Sequence, residues 1–404
     1  MTLSEELLWR GFINQTTLQD ITVLDKEPIS FYWGVDPSAD SMHIGQLAMA
    51  MMIRHFINYG HKATLLVGGA TGMIGDPDGK DAERELKSLE EIVHNKTSIA
   101  AQYRTIFNGL DFDIVDNYDW FKNIGYLQFL RDIGKHFSMT QLLDRDFVQN
   151  RIGAGSSGIS YAEFSYSLIQ GYDFLHLYRE YGVTLQVAGA DQWGNSISGV
   201  HLLRKLEDVD AHVWTAPLII NKATGKKFGK SEAGAVWLDD TKTSAYQLYQ
   251  FWLNVDDEGA IDYAKIYTLL SKEEVDDLER QHKASPGARI AQKTLAREVT
   301  ALVHGEKRRD AVERVTEVLF NGSSIHELSE EDLSILAREI PAVDAGGTLV
   351  DILTQAGIVS SNGEARRLIV GGAISVNNEK VSKDTSIHAL SLIKKGKNTF
   401  VLAR

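Results

Sequence analysis

The first 220 residues repeat one pattern: short, unbroken apolar runs separated by helix-like stretches. Ile29–Val35, Ala63–Val67, Phe112–Val115, Thr184–Ala188 and Pro217–Ile220 have strand length and are flanked by Gly, Asp or Pro. Apolar runs without alternation suit strands covered on both faces. Between the first two lies a helical pattern from Gly45 to Tyr59, which Gly60 would stop as a left-handed residue. This order predicts an α/β fold, a doubly wound, Rossmann-like parallel sheet. Such sheets bind ligands beyond the C-terminal ends of their strands.

The stretch Tyr118 to Ala162 breaks the rhythm, with helical segments and a Gly/Ser-rich bend at 153–158, and reads as an insertion between the two halves of the sheet. From Thr243 to Phe320 the pattern is helical. Ser271-Lys272-Glu273-Glu274 forms a capping box, and Pro286-Gly287 separates two helices. The polar, acidic stretch 321–347 ends in Ala345-Gly346-Gly347 and is the expected linker. The expected domains are therefore a sheet domain at 1–240 with its insertion at about 118–162, a helical domain at 241–320, and a small α+β domain at 348–404.

The chain has no cysteine, which excludes disulfides and thiolate metal sites, and its twelve histidines show no zinc spacing. No metal ligands are expected from the protein. No apolar window reaches the ~18 residues of a membrane span, and the N-terminus lacks a signal pattern, so a cytoplasmic chain without membrane contact is expected. The net charge of −13 argues against nucleic acid as a partner of the whole. From Asn362 to Arg404, however, eight basic residues face three acidic ones, a local balance suited to phosphate backbones.

Five segments carry chemistry. After the first strand, Asp36-Pro37-Ser38-Ala39-Asp40-Ser41 runs into His43-Ile44-Gly45-Gln46. Asp40 or Ser41 could cap the helix, placing His43 and Gln46 in its first turn, with Gly45 leaving room for a ligand. Such a helix N-terminus suits a triphosphate; taken alone, His43 reads as a packed surface histidine. Asn221 to Ser231 holds four lysines in eleven residues, and Lys227, Lys230 and Ser231 could cradle a pyrophosphate. A plain basic surface loop is the alternative. The glycine-rich Gly68 to Asp81 fits neither a dinucleotide fingerprint nor a P-loop. Its glycines are read as letting the chain approach a small ligand, with Asp76 facing an ammonium group and Lys80 and Arg84 on a flap. Ser160-Tyr161-Ala162-Glu163 caps a helix on which Tyr166, Gln170 and Asp173 form one polar stripe, the lining of a polar pocket if that face is buried. Finally, Gly189 and Asp191 in Gln186 to Asn195 could admit and hydrogen-bond a ribose, although Asp191 could equally be an N-cap.

Together, in this order, these segments resemble the class I aminoacyl-tRNA synthetases, specifically the bacterial tyrosyl branch. His43-Ile44-Gly45-Gln46 looks like the His-Ile-Gly-His signature and Lys227-Phe228-Gly229-Lys230-Ser231 like the Lys-Met-Ser-Lys-Ser signature. Glu364 to Arg367 and Gly371 to Val376 resemble a small RNA-binding domain, and the resemblance extends over essentially the whole chain.

The resemblance implies that Tyr32 and Asp173 bind a substrate phenol, while Tyr166, Gln170 and Asp76 hold its ammonium group and Gln192 orients the amino acid. Asp36, Gly45, Gly189, Asp191 and Lys230 would contact ATP or the adenylate. His43, Gln46, Lys80, Arg84, Lys227, Lys230 and Ser231 would stabilise charge during phosphoryl chemistry. Residues 241–320 would read the anticodon, and Arg366, Arg367, Lys380 and Lys383 would touch RNA. The implied partners are L-tyrosine, ATP with Mg²⁺, tRNA(Tyr) and a second copy of the chain. The same resemblance leaves open a tryptophanyl enzyme or a catalytically silent RNA-binding relative. Two positions depart from the signatures: Gln46 replaces the second histidine, and Phe228-Gly229 replaces Met-Ser.

Overall fold

The computed structural model describes residues 1–77, 86–143, 146–152, 158–222, 224–225, 227–231 and 234–404. The chain divides into two compact units. Unit 1 comprises 1–243 with 254–295, and unit 2 comprises 244–253 with 296–404.

Unit 1 is built on a six-stranded sheet: β1 (Gln15–Thr16), β2 (Ser30–Val35), β3 (Lys62–Val67), β4 (Phe112–Asp116), β5 (Leu185–Gly189) and β6 (His212–Ala216). Their spatial order is β1-β6-β5-β2-β3-β4. All neighbours are parallel except β1, which runs antiparallel to β6. The chain winds outward from β2 through β3 and β4, then returns to β5 on the other side of β2. The switch point therefore lies between β2 and β5, where a ligand crevice is expected.

Continuous burial explains the strand sequences. Phe31, Leu65, Leu66 and Val187 are all buried in the sheet, and each large apolar side chain so buried stabilises the fold by about 1.5–3 kcal/mol. The helix Ile44–Asn58 is apolar on most of its surface, and Leu47, Met51, Met52 and Phe56 are fully buried.

Two expectations about elements fail. Pro217–Ile220 is not a sheet strand. The sixth strand is His212–Ala216, and it stops at Pro217, which has no N–H for a ladder. The apolar run after the proline instead pairs with the lysine-rich loop: Phe228 N–H donates to Ile219 O at 2.8 Å, and Ile220 bridges Lys227. The helix at 44–58 is capped by neither Asp40 nor Ser41. Asp40 pairs with Lys242 at 2.6 Å and Ser41 donates to Met42 O, while His43 is itself the N-cap.

The helices Ala260–Tyr267 and Lys272–Ala284 belong to the sheet unit, so the helical stretch is shared between the two units. Both expected capping boxes, at Ser160 and Ser271, are present. The stretch expected as a linker, 321–347, carries the helix Glu330–Glu339 and a strand, Ala342–Val343, parallel to Thr399–Ala403. Its acidic residues begin and cap that helix, with Asp332 closing a capping box on Ser329 and pairing with Arg314 at 2.8 Å. In the C-terminal part of unit 2, Leu349, Leu353, Ile369, Ile374 and Val401 form an apolar core under a five-stranded sheet. Among the described residues, no helix is long and apolar enough to cross a membrane.

Candidate active site

A cavity of about 480 Å³ lies at the sheet's switch point. One wall is the helix Tyr161–Tyr181, whose polar stripe is turned inward: Tyr166 and Asp173 are 5% and 2% exposed, and Gln170 lines the same space. The start of this helix is fixed by Glu163, which closes the capping box on Ser160 and takes a bidentate, buried pair from Arg151 at 2.8 and 2.9 Å. Opposite, β2 projects Tyr32 into the cavity at 2% exposure.

The Asp173 carboxylate is aimed by two donors, the buried Asn117 and the half-buried Trp120. Trp120 Nε1 donates to Oδ1 at 2.9 Å and Asn117 Nδ2 to Oδ2 at 3.1 Å. Burial raises its carboxyl to about 8, against these two hydrogen bonds and with the Asp36 and Asp116 charges adding to the rise. The Tyr32 hydroxyl is buried without a hydrogen-bond partner among the described residues. Burial, reinforced by the Asp173 charge, pushes that phenol well above its usual range. An orphaned buried hydroxyl and a buried carboxyl group facing one cavity form an incomplete polar site, and a ligand carrying its own hydroxyl completes it.

From Asp173 the hydrogen bonds continue toward the other end of the slot. Asn117, fully buried, also donates to Thr71 Oγ1 at 3.0 Å and accepts from Ala70 N–H at 2.6 Å. Thr71 donates to Asp36 Oδ1 at 2.6 Å, and Tyr166 donates to Asp36 Oδ2 at 2.7 Å. Asp36, expected at the nucleotide, thus has its carboxylate engaged at the Tyr166 end. Asp76 accepts from Gln192 and, at 3.4 Å, from Asn195. Asp36, Asp76, Asp173 and Asp191 all line the cavity, an acidic surface suited to an ammonium group.

The other end is built by the helix at 44–58 and the lysine-rich loop. His43 and Gln46 cap the helix reciprocally: His43 Nδ1 accepts from Gly45 N–H at 3.0 Å, and Gln46 Oε1 accepts from His43 N–H at 3.1 Å. With its carbonyl oxygen so used, Gln46 keeps its amide N–H₂ as a donor. The segment after the loop is laced to this helix start, because Val236 N–H donates to Gly229 O and Ile44 N–H to Val236 O, each at 3.0 Å. Lys227, Phe228 and Gly229 line the cavity opposite His43, Gly45 and Gln46, and Lys227 is exposed.

The glycines correct the ligand-approach reading. A Cβ on Gly68 would lie 2.2 Å from both Asp36 Oδ1 and Thr71 Oγ1, and one on Gly69 would lie 2.1 Å from Asp116 Oδ1. At Gly45 the crowding atoms belong to His43, and at Gly189 to Asp191. These glycines make room for the protein's own polar side chains. Asp191 is exposed in a 3-10 turn and is not the N-cap of the next helix, a position taken by Gln192.

Lys80 and Arg84 lie outside the described residues, as do 153–157 of the Gly/Ser bend. For Lys230 and Ser231 only the backbone, a short strand paired with Gly234–Ala235, is described. Arg366, Arg367, Lys380 and Lys383 are exposed in unit 2, away from this cavity's lining. Sequence reasoning missed Thr71, Asn117, Trp120 and Asn195. Asn117 directly follows β4, and a polar residue just past the C-terminal end of a sheet strand was the available signal.

With this geometry in hand, the comparisons are specific. Residues 24–321 match the family model of class I tRNA synthetases (W and Y), and residues 332–403 match the C-terminal domain model of tyrosine–tRNA ligases. A tyrosine–tRNA ligase of Limosilactobacillus reuteri is 42% identical over 421 residues, covering all of both chains. A tyrosine–tRNA ligase 1 of Streptococcus thermophilus is 43% identical over 424 residues, again covering both fully. Among solved structures, a C-terminally truncated mitochondrial tyrosyl-tRNA synthetase of Aspergillus nidulans superposes with a TM-score of 0.71 at 29% identity, covering 79% of this chain and 94% of that one. The chain belongs to the tyrosine–tRNA ligase family of class I tRNA synthetases.

Proposed function

We propose that the cavity activates L-tyrosine with ATP and that the chain then esterifies tyrosine to the 3′-terminal ribose of tRNA(Tyr). The observation carrying this reading is the pairing of a buried, doubly anchored Asp173 with the orphaned Tyr32 hydroxyl in one slot. The substrate phenol donates to Asp173 and accepts from Tyr32. Tyr166, Gln170 and Asp76 take the ammonium group, and Gln192 orients the carboxylate. That carboxylate attacks the α-phosphorus of ATP, forming the acyl phosphate bond as the bond to the departing pyrophosphate breaks. Charge grows on the leaving group, and His43, Gln46, Lys80, Arg84, Lys227, Lys230 and Ser231 stabilise it by position and electrostatics. Gly45, Gly189 and Asp191 border the adenylate, and Asp36 acts through Tyr166. Mg²⁺ enters with the triphosphate and neutralises part of its charge. Among the described residues no three His, Asp or Glu side chains converge as a metal site.

In this reading the helical stretch 241–320, shared between the two units, serves the anticodon, and Arg366, Arg367, Lys380 and Lys383 of unit 2 serve the phosphate backbone. A homodimer through the insertion is supported by its apolar exposure, with Tyr126, Leu127, Met139 and Tyr161 between 58% and 78% open. The proposed setting is the cytoplasm.

ATP–pyrophosphate exchange measured with each of the twenty amino acids tests the reading. Exchange with tyrosine alone is expected. Exchange with tryptophan would place the chain in the neighbouring branch, and no exchange with any amino acid would leave only an RNA-binding role.

A further inference from the structure

The helix Ala260–Tyr267 does not line the cavity, yet it holds the loop that forms one of its walls. Lys222, at the start of that loop, pairs with Asp262, and Lys265 approaches the same carboxylate at 3.7 Å. One residue on, the Tyr263 ring stacks on Phe228 with centroids 4.2 Å apart and planes 24° from parallel. Tyr263 and Phe228 are both buried. The ring is also fixed from behind. A Cβ on Gly259, the residue that begins this helix, would lie 2.5 Å from Tyr263 Cε2 and 2.8 Å from its hydroxyl, so only glycine lets the ring lie where it does.

The far end of the helix is pinned by Arg10, which is 3% exposed. Its Nη1 donates to the carbonyls of Lys265 at 2.6 Å and Thr268 at 3.0 Å, its Nη2 to Leu270 at 2.7 Å, and its Nε to Glu6 at 2.8 Å. Carbonyls at a helix C-terminus lack intrahelical partners, and a buried guanidinium satisfying those of Lys265 and the C-cap Thr268, with that of Leu270 just beyond, holds the helix end in place. On the loop's other side, Gly229 adopts φ +103° against the start of the helix at 44–58, where a Cβ would meet Ile44 Cγ1 at 3.0 Å. Phe228 and Gly229 are thus gripped between two fixed helices.

We propose that Tyr263 is a positioning residue for adenylate formation: through its stack on Phe228 it sets where Lys227 and the following Lys230 stand relative to His43 and Gln46. This rests on the reading above that the loop lysines act on the phosphates. Tyr263 touches no substrate. Its effect belongs to the phosphate step and leaves the tyrosine slot alone.

The test compares Tyr263→Ala, Tyr263→Phe and Gly259→Ala, with Lys230→Ala alongside, in the full-length protein. Exchange rate, KM for ATP, KM for tyrosine, equilibrium tyrosine binding and thermal unfolding are measured for each. Tyr263→Ala should slow exchange roughly ten- to a hundredfold, as small misplacements of catalytic groups do, with tyrosine binding unchanged. Tyr263→Phe keeps the stacking ring and loses only the hydroxyl's interaction with the Lys222 backbone, so it should retain most of the parental exchange and far more than Tyr263→Ala. Gly259 sits at φ −90° and ψ −19°, a backbone open to any residue, so Gly259→Ala acts only by displacing the ring and should show a smaller loss of the same kind. If Tyr263→Ala does not fold, Gly259→Ala decides the matter. Parental exchange in folded Tyr263→Ala or Gly259→Ala, or a loss matched by weaker tyrosine binding, would overturn the proposal. If Lys230→Ala also exchanges normally, the reading of the loop itself has failed; if Lys230→Ala is impaired while the Tyr263 and Gly259 variants are not, only the positioning role has.

Discussion

At the Asp173 end of the cavity, carboxylates are gripped by buried or half-buried side chains, Trp120 and Asn117 on Asp173 and Thr71 and Tyr166 on Asp36. At the His43 end, proposed for the phosphates, His43, Gln46, Gly229 and Val236 are tied through backbone groups, and Lys227 stands exposed. The first construction suits discrimination: a buried polar group that must be satisfied rejects any ligand lacking the matching hydroxyl. The second suits charge that appears only in transit, because lysines on a backbone-anchored loop can meet the phosphates without selecting the amino acid. The two ends should therefore fail differently when altered.

The largest effect is expected from Asp173→Ala. Tyrosine-dependent exchange should fall by roughly 10²–10³-fold, the consequence of leaving the buried substrate phenol without its acceptor, and the loss should exceed any change in folding. Near-parental exchange would erase the distinction between the two ends. Next comes Lys230→Ala, which should slow adenylate formation by about ten- to a hundredfold with tyrosine affinity intact. A variant that instead loses tyrosine binding would show that the loop shapes the slot. Asn117→Ala should cost about tenfold in tyrosine affinity, since it frees Asp173 Oδ2, Thr71 Oγ1 and the Ala70 N–H at once. Equal weakening of ATP and tyrosine in that variant would argue for general loosening of the site.

A last effect, read in stability and proton release and not in catalysis, concerns protons. In the folded chain burial holds the Asp173 carboxyl up to about 8, against an ordinary value of 3.8. Between these values the folded, ligand-free protein keeps a proton that the unfolded chain has lost. The associated stability is full below about pH 4 and is lost as pH rises through about 8. Relative to Asp173→Asn, unfolding free energy should fall by up to about 1.4 kcal/mol per pH unit across that window. Tyrosine, by donating its phenol to the carboxylate, should release a proton on binding near neutral pH. Calorimetry in buffers of different ionisation heat reads that release, and heats independent of the buffer would separate Asp173 from the phenol.

Local order was legible where one residue's chemistry sufficed. The capping boxes at Ser160 and Ser271 need only a hydroxyl and a carboxylate three residues apart, and both form. The stripe Tyr166, Gln170, Asp173 follows from helical periodicity, and the helix does turn it inward. The sixth strand was misplaced because the apolar run after Pro217 looks more strand-like than His212–Ala216, although the proline ends the ladder. The stretch 321–347 looked like a linker because its acids are polar, yet those acids begin and cap a helix.

The order of apolar runs and the helix periodicity determined the winding of the sheet and placed both signatures at its open end, since these depend on neighbours a few residues apart. Only the tertiary structure decided which atoms fill the space beside Gly45, Gly68, Gly69 and Gly189, and that Asn117 and Trp120 aim Asp173. A glycine reports that something approaches its backbone but not what. Residues 56 and 53 positions apart meet only because β4, the first turn after it and the helix at 161–181 converge on one wall.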